Sequence, residues 1–159
     1  MAEKDNLKSA KTTYETLCKA LDHNDFHYKK DEENLIIELV AQGEDLPIEI
    51  RVAVEQQPML IVLTSHLPVV IPEDKRLDTA VAISVINYNL VDGSFDFDIK
   101  SGHLFFRMSN SFRESLVGED LFMYMVLVSC KTIDDFNDKL LMLSKGMMTL
   151  EQFVKDFLE

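Results

Sequence analysis

Tryptophan is absent from the 159-residue chain, and cysteine, proline and glycine number only two, four and five. Each shortage removes a class of chemistry. Five glycines are too few for a loop that cradles phosphate on consecutive backbone amides, and neither G-x-x-x-x-G-K-[ST] nor G-x-G-x-x-G occurs. Cys18 and Cys130 fall in separate predicted helices with no cysteine two residues from either, which excludes a zinc ribbon or a C-x-x-C redox motif. Two such thiols fit a reducing compartment, where they act as small apolar fillers. Basic residues are outnumbered, 16 against 28 acids, for a formal charge of -12. The longest basic runs, Lys29-Lys30 and Lys75-Arg76, sit beside acids, so neither nucleic acid nor an anionic membrane is an expected partner. No run approaches the roughly 18 apolar residues of a membrane span. The opening MAEKDNLKSAK holds no apolar signal core, and the expected setting is the cytoplasm.

What is present is an ordinary globular mixture. Apolar residues make up 47%, ten Phe and eight Met stand in for Trp as bulky core material, and the length suits one domain over residues 1–159. Leu7, Ala10, Tyr14, Leu17 and Leu21 recur at helical spacing over 6–22, with Asp5 or Asn6 as the expected cap. From Phe26 the period becomes two. A short strand at 26–30 either stands alone or merges with the next, whose inner face is Leu35, Ile37, Leu39 and Ala41. Pro47 opens a strand in which Ile48, Ile50, Val52 and Val54 alternate with polar neighbours, leaving one wet face. Residues 59–65, MLIVLTS, are apolar on both faces.

Pro68 to Pro72 reads as a connector, and Asp74 as the cap of a helix over 75–91. That segment is rich in β-branched residues, but it is too long for a typical strand. It offers two apolar seams, one of Leu77, Val81, Val85 and Tyr88 and one of Ala80, Ile83, Ile86 and Leu90. A hairpin follows, with Phe95, Phe97 and Ile99 alternating against acids, a primed turn at Lys100-Ser101-Gly102, and Leu104, Phe106 and Met108 on the return. After Gly118 comes a long helix with Phe122, Val126, Ser129, Ile133, Phe136, Leu140 and Leu143 spaced four and three. Its first turns, 121–128, are apolar all round. Gly146 ends it, and Thr149 with Gln152 forms a capping box for a short last helix. The order α-β-β-β(-β)-α-β-β-α-α is α+β, an antiparallel sheet of five to six strands covered by helices.

No catalytic constellation emerges. Asp96 and Asp98 share a strand face with Ser94 nearby, too few oxygens for calcium. His23, His27, His66 and His103 share no metal-ligand spacing. Adjacent Ser65 and His66 point in opposite directions on a strand, the wrong arrangement for nucleophile and base. Neither a metal nor a cofactor is expected, and the chain reads as non-enzymatic. The one catalytic or ligand-binding alternative gathers Asp96, Asp98, Arg107 and His103 around a pocket at the hairpin.

The stretch AVAISVINYNL followed by GSFDFDIKSGHLFFRMS resembles the YbjN domain family, whose members are often labelled sensory transduction regulators of bacteria. Phe97, Gly102, Phe106, Arg107 and Ser109 carry the resemblance, and the order of elements agrees over about 7–145. The resemblance implies a fold like that of type III secretion chaperones, commonly dimeric, which hold extended segments of client proteins. It brings no catalytic residues. With the all-apolar start of the long helix and the two-sided strand, it points to a chaperone-like or regulatory protein-binding module acting as a homodimer. The expected interface residues are Ile61, Leu63, Phe105, Leu121, Phe122, Met125 and Val128. The alternative is a structural subunit of a larger assembly.

Overall fold

A computed structural model describes residues 2–158, with side chains from 5 to 157. Its elements are α1 (Ala2–His23), β1 (Tyr28–Asp31), β2 (Ile36–Gln42), β3 (Pro47–Glu55), β4 (Leu60–Val70), a 3-10 turn (Glu73–Lys75), α2 (Arg76–Asn89), β5 (Ser94–Asp98), β6 (His103–Ser111), α3 (Glu119–Ser144) and α4 (Leu150–Leu158). All strand pairs are antiparallel, in the order β1-β2-β3-β4-β6-β5. Period-two alternation decides which side is dry. Ile37, Leu39, Ile48, Ile50, Val52, Ile61, Leu63, Leu104 and Phe106 are buried, and α1 and α3 lie across that face. The core seam of α3 lands as its spacing predicts, with only Phe136 of the seven left half-buried.

Four local expectations are corrected. Helix α1 starts at Ala2, so Asp5 and Asn6 lie inside it rather than capping it. The segment around Pro68 is not a connector. Strand β4 continues to Val70, with a register shift between His66 and Val70 that lets Pro68 be tolerated in the irregular, partly unpaired end of the strand. Asp74 falls within the 3-10 turn, and α2 has no side-chain cap. The β5–β6 turn is four residues, 99–102, because Asp98 pairs with His103 and Gly102 donates to the Asp98 carbonyl.

Two polar side chains fix this end of the sheet. Arg76 donates to the carbonyls of Ile71 (3.2 Å), Ile99 (3.2 Å), Lys100 (2.6 Å) and Ser101 (3.4 Å), clipping the start of α2 onto the hairpin turn. Asn87 treats the outer edge of β5 as a neighbouring strand would. Its amide nitrogen donates to the Phe95 carbonyl at 2.9 Å and its oxygen accepts from the Phe95 N–H at 2.8 Å. An open strand edge is thereby closed without a seventh strand. Replacing Asn87→Ala leaves both backbone groups unpaired and half-covered, an expected loss of about 1–3 kcal/mol, measurable by urea unfolding. Asn87→Asp retains the acceptor and loses the donor, and falls between.

Candidate functional site

Among the described residues no helix covers the side of the sheet away from α1 and α3, and the register lays its side chains out in rows. One row runs across all six strands as Lys29, Glu38, Arg51, Thr64, Arg107 and Ser94. The next holds Val40, Glu49, His66, Phe105 and Asp96. Acids and bases alternate along and between these rows, so the face has no single sign. A depression on it, about 660 Å³, is lined by His27, Tyr28, Lys29, Glu38, Val40, Glu49, Arg51 and His66, among others. Phe105 leans on His66 with ring centroids 5.9 Å apart. Arg107 is tied to Asp96 at 2.9 Å.

A second open surface lies on the helices. In α2 the residues facing the core are Thr79, Ala82, Ile83 and Ile86. Diametrically opposite, at helical spacing, stand Leu77 (74% exposed), Val81 and Tyr88 (90% exposed). Just past the helix, Val91 is 98% exposed. Tyr124 of α3 donates to the Asp92 carboxylate, which places the outer side of α3's first turns beside the end of α2. Leu127, one turn further along α3, is exposed too. Of the two seams legible in α2, one is core and the other faces outward. The signal for the outward one was the charge: residues 77–91 include a single ionisable acid, Asp78, in a chain that is 28% charged.

The interface residues expected from sequence divide in two. Ile61, Leu63, Phe122 and Met125 are all 2% exposed or less, enclosed by one copy of the chain. The two-sided hydrophobicity of the 59–65 strand arises because Ile61 and Leu63 face the helices while Leu60 and Val62 are half-covered on the open side. Leu121 and Val128 are half-buried against the core, and Phe105 is half-exposed on the open face. The apolar ring of 121–128 is thus filled inward by Phe122, Met125 and Val126 and left outward at Tyr124 and Leu127.

The four residues of the catalytic alternative share the hairpin's open face, with Asp98 directly across from His103. Arg107 is held by Asp96, while Asp98 is taken up by the turn, accepting from Ser101 at 2.7 Å and from the Lys100 N–H at 3.0 Å. These bonds hold the Asp98 carboxyl below its ordinary range. The depression lined by Arg107, with Leu60, Val62, Gly93, Ser94 and Ser109, contains none of the other three. Ser65 points inward to share a hydrogen bond with Ser129, and His66 points outward. Among the described residues no group of three or more His, Cys, Asp or Glu could hold a metal ion. No helix there is long and apolar enough to cross a membrane.

The strongest shifts of acidity have a structural origin. Burial, and then Cys18, push the Tyr14 hydroxyl from 10.0 up to about 12. Tyr28 is also raised, first by burial and then by donating to Asp22 at 2.9 Å. Burial raises both thiols, Cys18 and Cys130, so each stays protonated at neutral pH. For a phenol raised in the folded state, the linked stability is intact below the unfolded value near 10.0 and is withdrawn as pH rises toward about 12. Alkaline titration followed by circular dichroism is therefore expected to show the sheet weakening across that window. Tyr14→Phe should flatten the dependence.

A six-stranded antiparallel sheet with helices on one face and an open, charge-mixed face on the other defines an α+β scaffold with two exposed surfaces. The chain belongs to the YbjN family, described as "Putative bacterial sensory transduction regulator", whose profile matches residues 13–142. Its fold is similar to that in "Crystal structure of YbjN, a putative transcription regulator from E. coli", with a TM-score of 0.57 at 15% identity over 79% of this chain and 92% of that one. No curated protein matches the sequence.

Proposed function

We propose that the chain is a non-catalytic regulatory protein that binds other proteins and acts as a cytoplasmic homodimer, with the outward stripe of α2 and α3 as its self-association surface. The observation that carries this is the stripe itself: Leu77, Val81, Tyr88, Val91, Tyr124 and Leu127 all face solvent in a single copy. Side chains of this size expose several hundred Å² of apolar surface, the scale at which a monomer's largest patch is an interaction site. The near-absence of charge along α2 favours a second copy, because two chains of charge -12 repel wherever their acids meet. The accessible surface of 9616 Å² also exceeds the roughly 8,000 Å² that area scaling gives for this mass. The open sheet face, with Phe105 and His66 at its centre, then remains for an extended segment of a client.

Light scattering tests the dimer. At about 50 µM the expected mass is twice 18.3 kDa. A single-chain mass at every concentration removes the dimer. Val81→Glu with Tyr88→Glu places two charges per copy at the centre of the stripe and is expected to weaken association about 100-fold or more. The midpoint of thermal unfolding should stay within about 2 °C, since surface changes of this kind cost little.

A further inference from the structure

On the outward side of α2, Leu77, Val81, Ser84 and Tyr88 follow one another at steps of four, three and four, the spacing by which one helix seats on another. All four are exposed in a single copy. The steps read the same in both directions. Two antiparallel copies of this seam therefore match along its whole length, with Leu77 facing the second copy's Tyr88 and Val81 facing its Ser84. A small side chain meets a branched one near the centre, where packed helix axes approach to about 8–10 Å. An aliphatic side chain meets an aromatic one at each end. Charge favours the same direction. Asp78 is the only carboxylate within α2, and a parallel pair would set it beside its own copy with the helix dipoles aligned. An antiparallel pair sets it against the uncharged half of the helix that ends at Asn89. Two helices of 14 residues are only about 21 Å long, so a stable dimer needs surface from elsewhere. Tyr124 and Leu127 of α3 supply it, since Tyr124 donates to Asp92 and so lies at the end of α2 that Tyr88 occupies.

We infer that two copies pair α2 against α2, antiparallel about a two-fold axis between Val81 and Ser84, with Leu77 of each seated on Tyr88, Tyr124 and Leu127 of the other. The pairing rests on the self-association reading above and fixes which residues meet. Ser84 of one copy then lies about 5 Å along the axis from Ser84 of the other, whereas the two Leu77 side chains stand about 16 Å apart, and so do the two Tyr88. A parallel pair would bring each of these residues beside its own copy.

Cross-linking of the full chain with a short bis-maleimide tests this, using Ser84→Cys, Leu77→Cys and Tyr88→Cys as separate variants. All three positions are exposed, so the fold should tolerate each change. Wild type treated alike measures what Cys18 and Cys130 contribute, and mass spectrometry locates each link. Ser84→Cys is expected to link to its own copy at least about 10-fold faster than Leu77→Cys does, because proximity sets the rate. Leu77→Cys chains mixed with Tyr88→Cys chains should link to each other, although neither links to itself. Self-linking of Leu77→Cys as fast as that of Ser84→Cys shows a parallel pair and overturns the inference. A dimer mass by light scattering with no excess linking at position 84 also overturns it, while leaving the self-association reading in place. A single-chain mass at every concentration removes both.

Discussion

Phe106→Ala is expected to lower stability by about 3–5 kcal/mol and the thermal midpoint by roughly 6–20 °C. The ring belongs to β6, which lies between β4 and β5, and it is fully buried. It meets Phe95 edge-on at 5.2 Å and 62°, and Phe95 in turn meets Phe136 at 5.9 Å and 88°. On its other side the backbone of Gly93 comes so near that a Cβ there would lie 2.3 Å from the ring's Cζ. Truncation removes a large apolar group from a site hemmed in by backbone, so the neighbours cannot collapse to fill it. Because Phe136 also supports Phe157, amides of α4 should lose protection before those of β3. Calorimetry together with hydrogen exchange checks both parts.

Gly102→Ala should cost about 2–5 kcal/mol although it adds one methyl group. Gly102 has φ +83, a conformation that an L side chain resists, and an added Cβ would lie 2.4 Å from the Ile71 carbonyl oxygen. That oxygen belongs to backbone already fixed on both sides. The Ile71 N–H donates to the Gly102 carbonyl at 2.8 Å, and the Ile71 carbonyl accepts from Arg76. Relief therefore requires the hairpin turn to part from the strand-to-helix link, loosening the clip that orients α2. Urea unfolding gives the size of the loss. Gly118→Ala is the control, since its added Cβ meets nothing within 4 Å.

Much of this architecture was legible because alternation and helical spacing report burial directly. Leu35, Ile37, Leu39 and Ala41, and then Ile48, Ile50, Val52 and Val54, all face the core as their period required. The Thr149–Gln152 box was readable because both of its bonds are local. Contacts between distant segments left no such trace. Nothing in the sequence shows that Arg76 reaches the carbonyls of residues 99–101, or that Asn87 closes the edge of β5. Where the expected interface residues would lie was hidden for a related reason. Hydrophobicity marks Ile61 and Tyr88 alike, but only the packing of α1 and α3 on the sheet makes one core and the other surface. Two apolar seams on α2 are equivalent until the sheet chooses one, and it chose Ile83 and Ile86.

The central claim is that the surplus apolar surface lies on the outside of α2 and the start of α3, and that a second copy covers it. Hydroxyl-radical footprinting as a function of protein concentration tests this most directly. The account predicts that oxidation of Leu77, Tyr88 and Tyr124 falls as concentration rises, while Phe105 and His66 on the open sheet are oxidised at a constant rate. Protection that appears on the sheet face instead, or nowhere at any concentration, would contradict it.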